Sequence, residues 1–160
     1  QKKNIWNIMS ITKKPSYLGS KSQVPESPKN FKLDGINNPH RDKDYVVRFS
    51  SPELTSICPI TSQPDFGYIV LDYIPKKLIL ESKSLKLFLF SFRNFGGFHE
   101  DCTILIAKKI EHFIKPKWLR ISCFWNPRGG IPIDIFYENG KKPKNVFIKE
   151  VDIKPYTGRF

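Results

Sequence analysis

Polar and apolar positions change their period several times along the chain, and each change marks an element. Residues 1–43 mix Lys, Ser, Pro and Asn with few clustered apolar side chains, a pattern that reads as an extended arm. From Asp44 the pattern tightens. Tyr45-Val46-Val47-Arg48-Phe49 has strand character, and Gly67 to Ile74 makes a second strand. Leu78-Ile79-Leu80 extends that strand beyond Pro75-Lys76-Lys77, and Cys58 to Gln63 is a loop punctuated by Pro59 and Pro64. Leu85, Phe88, Leu89 and Phe92 fall at i, i+3, i+4 and i+7, one face of a helix. Leu87 and Phe90 make its other side apolar, which suits a helix that is buried or faces another subunit. Asn94-Phe95-Gly96-Gly97 breaks it. A second helix carries Ile106, Ile110, Phe113 and Ile114 on its inner stripe and stops at Pro116. Trp118 to Trp125 alternates around Arg120 and Ser122. Ile131, Ile133 and Ile135 alternate with Pro132, Asp134 and Phe136. Asn126 to Gly130 supplies the hairpin connection.

The order strand, strand, helix, helix, strand, strand predicts an α+β domain: a four-stranded antiparallel sheet with both helices on one face. At 160 residues there is one such domain, over residues 44–160, long enough to bury a core without staples. The tail beyond Gly140 is again rich in Lys and Pro, and no internal repeat is visible. The chain opens at Gln1 rather than Met, which points to a native start upstream.

A formal charge of +12 favours anionic partners: nucleic acid, a phosphorylated cofactor or acidic lipid. The plain alternative is a Lys-rich solvated surface. Cys58, Cys102 and Cys123 are widely spaced with no C-x-x-C, which argues against a zinc ribbon or disulfide scaffold. An odd number of free thiols suits a reducing cytosol. No apolar run reaches the roughly 20 residues that span a bilayer.

Cys58 is the leading chemical candidate. It lies between Ile57 and Pro59, and Asp65 follows seven residues later across a polar turn. A thiolate is the nucleophilic form of Cys, and a carboxylate nearby can manage its proton. The alternative is a small buried hydrophobe. Ser82 or Ser84 can cap the first helix, and a helix start favours an anion. Lys83 and Lys86, three residues apart, bring two cations to one face there, suited to phosphate. His99 and Glu100 sit together at a loop-to-helix junction, where a carboxylate can accept two N–H bonds from a planar heterocycle. Glu100 and Asp101 also suit any helix start. Arg128, in a Pro-Arg-Gly-Gly turn, can bind phosphate bidentately.

Three stretches together are far more specific. FSSPELTSICPITSQPDF (Phe49 to Phe66), ESKSLKLFLFSFRNFGGFHEDC (Glu81 to Cys102) and FWNPRGGIPID (Phe124 to Asp134) resemble the QueF family of NADPH-dependent nitrile reductases, also called 7-cyano-7-deazaguanine reductases. The likeness runs from about Arg41 to Asp134 and, by length, is to the short, unimodular branch; Tyr17-Leu18-Gly19 is only loosely similar. It implies the tunnelling fold shared with GTP cyclohydrolase, in a ring-forming homo-oligomer of two stacked pentamers with sites between subunits. It implies Cys58 as the nucleophile that forms a thioimide with the nitrile, and Asp65 as the proton shuttle. It implies Leu80, Glu81, Ser82, His99 and Glu100 around the deazaguanine, and Lys83, Lys86 and Arg128 on NADPH phosphates. The pathway implied is cytoplasmic queuosine synthesis for tRNA, acting on the free base, with no metal, membrane or direct tRNA contact required. Ser62 stands where the family usually carries Gly, Phe88 replaces a frequent Tyr, and Phe95-Gly96-Gly97 differs slightly from the usual loop.

Two other readings compete. A zinc-dependent cyclohydrolase on the same fold needs His or Cys ligands in pairs, and Thr61 stands where such a pattern would want His. A non-catalytic RNA-binding module would draw on the positive charge, but the basic residues are dispersed and no aromatic single-strand motif is visible.

Overall fold

The computed structural model describes residue 16 and residues 25–152; the Tyr17-Leu18-Gly19 stretch, most of the proposed arm and residues 153–160 lie outside the described residues. Eight elements follow in order: β1 (Gly35–Asn37), β2 (Val47–Ile57), β3 (Pro64–Ile74), β4 (Leu78–Leu80), α1 (Ser82–Phe90), α2 (His99–Ile114), β5 (Trp118–Arg128) and β6 (Ile131–Gly140). One antiparallel sheet runs β2-β3-β5-β6, and β1 pairs with β4 in a separate ribbon. The expected ββααββ order is present, with that ribbon added. Leu78–Leu80 therefore does not extend the preceding strand; its partner is residues 35–37.

Alternation along the central strands decides the two faces. Ile69, Leu71 and Tyr73 of β3 and Leu119, Ile121, Cys123 and Trp125 of β5 share one core with Leu85, Phe88 and Leu89 of α1 and Ile106, Ile110 and Ile114 of α2. Both helices thus cover one face. Phe31 is buried in this core and stacks on Phe88 with ring centroids 5.7 Å apart. Packing therefore begins before residue 44, and the boundary drawn after residue 43 does not separate arm from core. Phe31 and Leu33 are too sparse to show a period; the groove they fill exists only after α1 has docked.

β2 runs on past Phe49 to Ile57, with Pro52 accommodated where the register shifts between Ser51 and Leu54. An edge strand tolerates Pro at such a bulge. The β5–β6 turn is tighter than expected. Only Gly129 and Gly130 connect the strands, with φ of 57° and 82°, and a register shift between Trp125 and Arg128 absorbs Asn126-Pro127. Positive φ at both central positions is what a two-residue primed hairpin turn requires.

The other face is held by a charged ladder. Arg48, Asp72 and Arg120 are register partners across β2, β3 and β5. Arg48 donates to both oxygens of buried Asp72, at 2.6 and 2.9 Å, and Arg120 donates at 2.9 Å. Both guanidinium groups also reach the Lys149 carbonyl, so the C-terminal segment is tied to this face, where Ile148 packs with Ile74 and Trp118. Removing the shared carboxylate leaves two cations without their partner. Asp72→Ala is expected to lower stability by about 3 kcal/mol. Urea unfolding at unchanged slope measures it; a loss under about 1 kcal/mol would show the ladder to be dispensable.

Candidate active site

β2 and β3 are joined by a closed loop. The Cys58 N–H donates to the Gln63 carbonyl at 2.8 Å, and the Ser62 N–H donates to the Cys58 carbonyl at 3.0 Å. Closing the loop puts Ser62 at φ 56°, in the left-handed region that favours Gly. That is a physical reason for Gly at this position.

The loop also conditions the sulfur. The Cys58 thiol is pulled below its ordinary value, first by the Thr61 hydroxyl and then by the backbone N–H groups of Thr61 and Ile60, all of which stabilise the thiolate. Partial burial and the charge of Asp65 oppose the shift. The other thiols go the other way. Burial pushes Cys102 up to about 11 and Cys123 up to about 12. Of the three thiols, that of Cys58 is lowered and the other two are raised.

Asp65 sits at the start of β3 on the helix-covered face, only 5% exposed. Its Oδ1 is shared. The Arg128 Nε donates to it, and the Nε2 of His99, the first residue of α2, lies 3.3 Å away. Arg128 also donates to the Gln63 side chain and, at 3.2 Å each, to the Gln63 and Pro64 carbonyls. The His99 ring lies flat on Trp125, centroids 4.5 Å apart and planes 9° apart. The loop before α2 is locked to the nucleophile's strand: Ile57 N–H donates to Phe95 O and Gly97 N–H to Ile57 O, both at 3.1 Å. A Cβ on Gly97 would meet the Cys102 sulfur at 2.9 Å, so Gly is needed for this close approach. Glu100 is exposed beside His99.

The remaining expected residues lie elsewhere. Ser82 and Lys86 line an apolar cavity of about 240 Å³ with Phe49, Ser51, Leu85 and Phe90. The cavity runs from Ser82 along α1 and on to Arg93, against the first half of β2, whereas Cys58 lies beyond the last residue of β2. Seven strand residues lie between Ser50 and Cys58, about 20 Å or more. One chain thus unites Cys58, Asp65, His99 and Arg128, and holds Leu80, Glu81, Ser82, Lys83 and Lys86 apart from them. The α1 cap is also different from expectation. Glu81, not Ser82 or Ser84, caps the helix, accepting from the N–H groups of Lys83 at 2.9 Å and Ser84 at 2.7 Å. The longer side chain reaches back over the first turn, and the Ser84 hydroxyl instead accepts from the Asp34 N–H at 2.7 Å. Leu80 is held by its N–H donating to the Tyr73 oxygen at 3.0 Å.

Sequence reasoning missed Thr61, Gln63 and Trp125 as parts of this site. A hydroxyl three residues after a candidate nucleophile was a usable signal for Thr61. Trp125 shares the inward phase of Ile121 and Cys123 and faces Gly67 across the sheet. The role of Gln63 depends on where Arg128 points and had no local signal. Among the described residues no three His, Cys, Asp or Glu side chains gather as a metal-ligand group. No helix among them is long and apolar enough to cross a membrane.

The ββααββ sheet that carries this thiol, buried carboxylate and histidine defines a protein of the tunnelling-fold class. The chain belongs to the QueF-like family: the family model described as QueF-like protein matches residues 64–144. Proteins named NADPH-dependent 7-cyano-7-deazaguanine reductase are similar over most of their length. That of Rhodopseudomonas palustris is 54% identical over 89% of this chain and 90% of its own. That of Bradyrhizobium diazoefficiens is 51% identical over 95% and 99%. Agrobacterium fabrum has one 54% identical over 90% and 94%. The solved apo structure of an archaeosine synthase QueF-Like superposes with a TM-score of 0.57 at 22% identity, over 63% of this chain and 99% of that one, a likeness of fold.

Substitutions at two positions test the loop. Ser62→Gly relieves the left-handed serine and is expected to raise stability by about 1 kcal/mol in urea unfolding; no gain would mean that the loop holds Ser62 without strain. Thr61→Val removes the leading donor to the sulfur, so the midpoint of Cys58 alkylation by iodoacetamide should move to higher pH, while Thr61→Ser should leave it in place. An unmoved midpoint in Thr61→Val would remove the hydroxyl from the account.

Proposed function

We propose that this protein reduces the nitrile of 7-cyano-7-deazaguanine to the aminomethyl group, with two molecules of NADPH, through a Cys58 thioimide. The observation that carries the reading is the lowered thiol of Cys58 on the loop that leads into buried Asp65. The family membership supplies the substrate class.

In this reading the Cys58 thiolate attacks the nitrile carbon, forming a C–S bond, and the proton lost by the thiol passes through Asp65 to the nitrile nitrogen. NADPH, when bound, supplies the hydride. After the first reduction Asp65 protonates the nitrogen, the C–S bond breaks, and Cys58 leaves with its electron pair as thiolate. The resulting protonated imine is kept in the site, where the second reduction completes the amine with no further proton to the nitrogen, and the Cys58 thiolate takes a proton back through Asp65. Over the cycle one nitrile takes two hydrides and two protons, and Cys58 returns unchanged.

Recognition is divided in the same way as the geometry. Glu100 accepts the N–H groups of the deazaguanine edge, with His99 beside it. Leu80, Glu81 and Ser82 come from the α1 end of a neighbouring copy, because one chain keeps that end away from Cys58. Lys83 and Lys86 suit phosphates of the cofactor as two cations three residues apart on one face of α1; Arg128 reaches the same phosphates from the Cys58 side. A ring of such copies, two pentamers stacked, gives partners to the outer edges of β2 and β6. It also covers Ile60, Phe66 and Phe98, exposed by 77%, 50% and 55% around the Cys58 end. The aminomethyl product belongs to queuosine synthesis in the cytoplasm, where a reduced nicotinamide and a free thiol coexist.

The direct test mixes the protein with 7-cyano-7-deazaguanine and follows NADPH absorbance. Wild type should consume two NADPH per nitrile. Cys58→Ala should lose turnover by at least about 1000-fold together with the covalent adduct seen by mass spectrometry. An adduct that persists in the variant, or a folded wild type that consumes no NADPH, would reject the reading.

A further inference from the structure

We propose that Trp125 and Thr103 are positioning residues that hold the His99 imidazole against Asp65, and that proton delivery depends on this hold. The inference rests on the reading of Asp65 as the proton carrier given above.

His99 is gripped at three points. Its ring face lies on the indole of Trp125, nearly coplanar at 9°. Its Nε2 meets Asp65 Oδ1 at 3.3 Å. Its backbone carbonyl accepts from the Thr103 hydroxyl at 2.8 Å. The last grip is linked to the first, because the Trp125 Nε1–H donates to the same Thr103 oxygen at 3.0 Å. A hydroxyl has one proton to give and two lone pairs, so Thr103 serves both bonds at once. The indole therefore fixes the ring of His99 directly and its backbone through Thr103.

The surroundings leave this arrangement little freedom. Thr103 is fully buried and Trp125 is 2% exposed, so neither bond competes with water. Gly67 faces Trp125 across the sheet, and a Cβ there would come within 3.1 Å of the indole. The indole lies over the strand two residues from Asp65 because Gly67 has no side chain. A Trp that only filled the core could satisfy its N–H on any nearby acceptor. This one is bonded to the turn of α2 that carries His99, while its ring lies on His99 itself. Both residues act through His99, which orients Asp65, so they are positioning residues and not catalytic ones.

Thr103→Val removes both bonds at nearly constant shape, Thr103→Ser restores the hydroxyl, and Trp125→Leu removes the stacking face. For each, kcat and the KM for NADPH are measured with the nitrile, alongside Tm and the rate of Cys58 alkylation by iodoacetamide, which reports an intact nucleophile loop. Thr103→Val is expected to lower kcat about 10-fold and Trp125→Leu about 100-fold, with KM for NADPH and the alkylation rate within about 2-fold of wild type. Thr103→Ser should recover most of the lost kcat. If Trp125→Leu does not fold, the Thr103 pair decides. Thr103→Val protein that alkylates normally and keeps the wild-type kcat overturns the inference while leaving the reductase reading intact. Wild type that consumes no NADPH overturns the reductase reading and this inference with it.

Discussion

A single buried carboxylate oxygen organises the site. Asp65 Oδ1 meets the Arg128 guanidinium from the end of β5 and the His99 imidazole from the start of α2. Three elements distant in sequence converge there, and a fourth follows, because Arg128 also bonds Gln63 in the loop that carries Cys58. A carboxylate with so little solvent must find its partners within the protein. Both partners come from the first or last residue of an element, so the starts and ends of β3, β5 and α2 have to register against one another. The tight Gly129-Gly130 turn and the register shift before it are part of that requirement, since they set the direction in which Arg128 leaves β5.

The thiol is conditioned by a different and more local device. Donors from the same six-residue loop surround the Cys58 sulfur, while the charge of Asp65 works against them. The two effects are complementary. The loop favours the thiolate, and the carboxylate next to it favours the protonated thiol; in the proposed reaction that balance would keep a proton close to the nitrogen that attack leaves basic. Cys102 and Cys123, buried in the core, show what the same side chain does without such a loop: their thiols are pushed up, chiefly by burial, to a range where thiolate is scarce at neutral pH.

Much of this was legible in the sequence, and the failures follow a pattern. Period-two alternation in β5 and β6 and the i, i+3, i+4, i+7 stripe of α1 located those elements because each buries one continuous face. That Cys58 stands in a polar loop apart from the two core thiols was also legible, since Pro59, a polar turn and Asp65 surround it in sequence. The β1–β4 ribbon was not. Residues 35–37 carry little period of their own, and Leu78–Leu80 looked continuous with β3 until its pairing was known. The α1 cap was misassigned for a related reason. Serine is the favoured cap residue, but the longer Glu81 reaches the same N–H groups once Ser84 is taken up by Asp34.

What the sequence determined by itself is whatever depends on neighbours along the chain: the elements with a strong period, the two-glycine turn, the loop whose own donors surround Cys58, and the family to which the chain belongs. What only the tertiary structure decided is which distant groups share a partner. That Arg128 bonds Asp65 and Gln63, and that the Trp125 ring lies on His99, has no counterpart in the local pattern. Local pattern reflects the average environment of a residue, inside or outside. The identity of its partner depends on side-chain direction and strand register, and these are settled only when the sheet and helices close on one another.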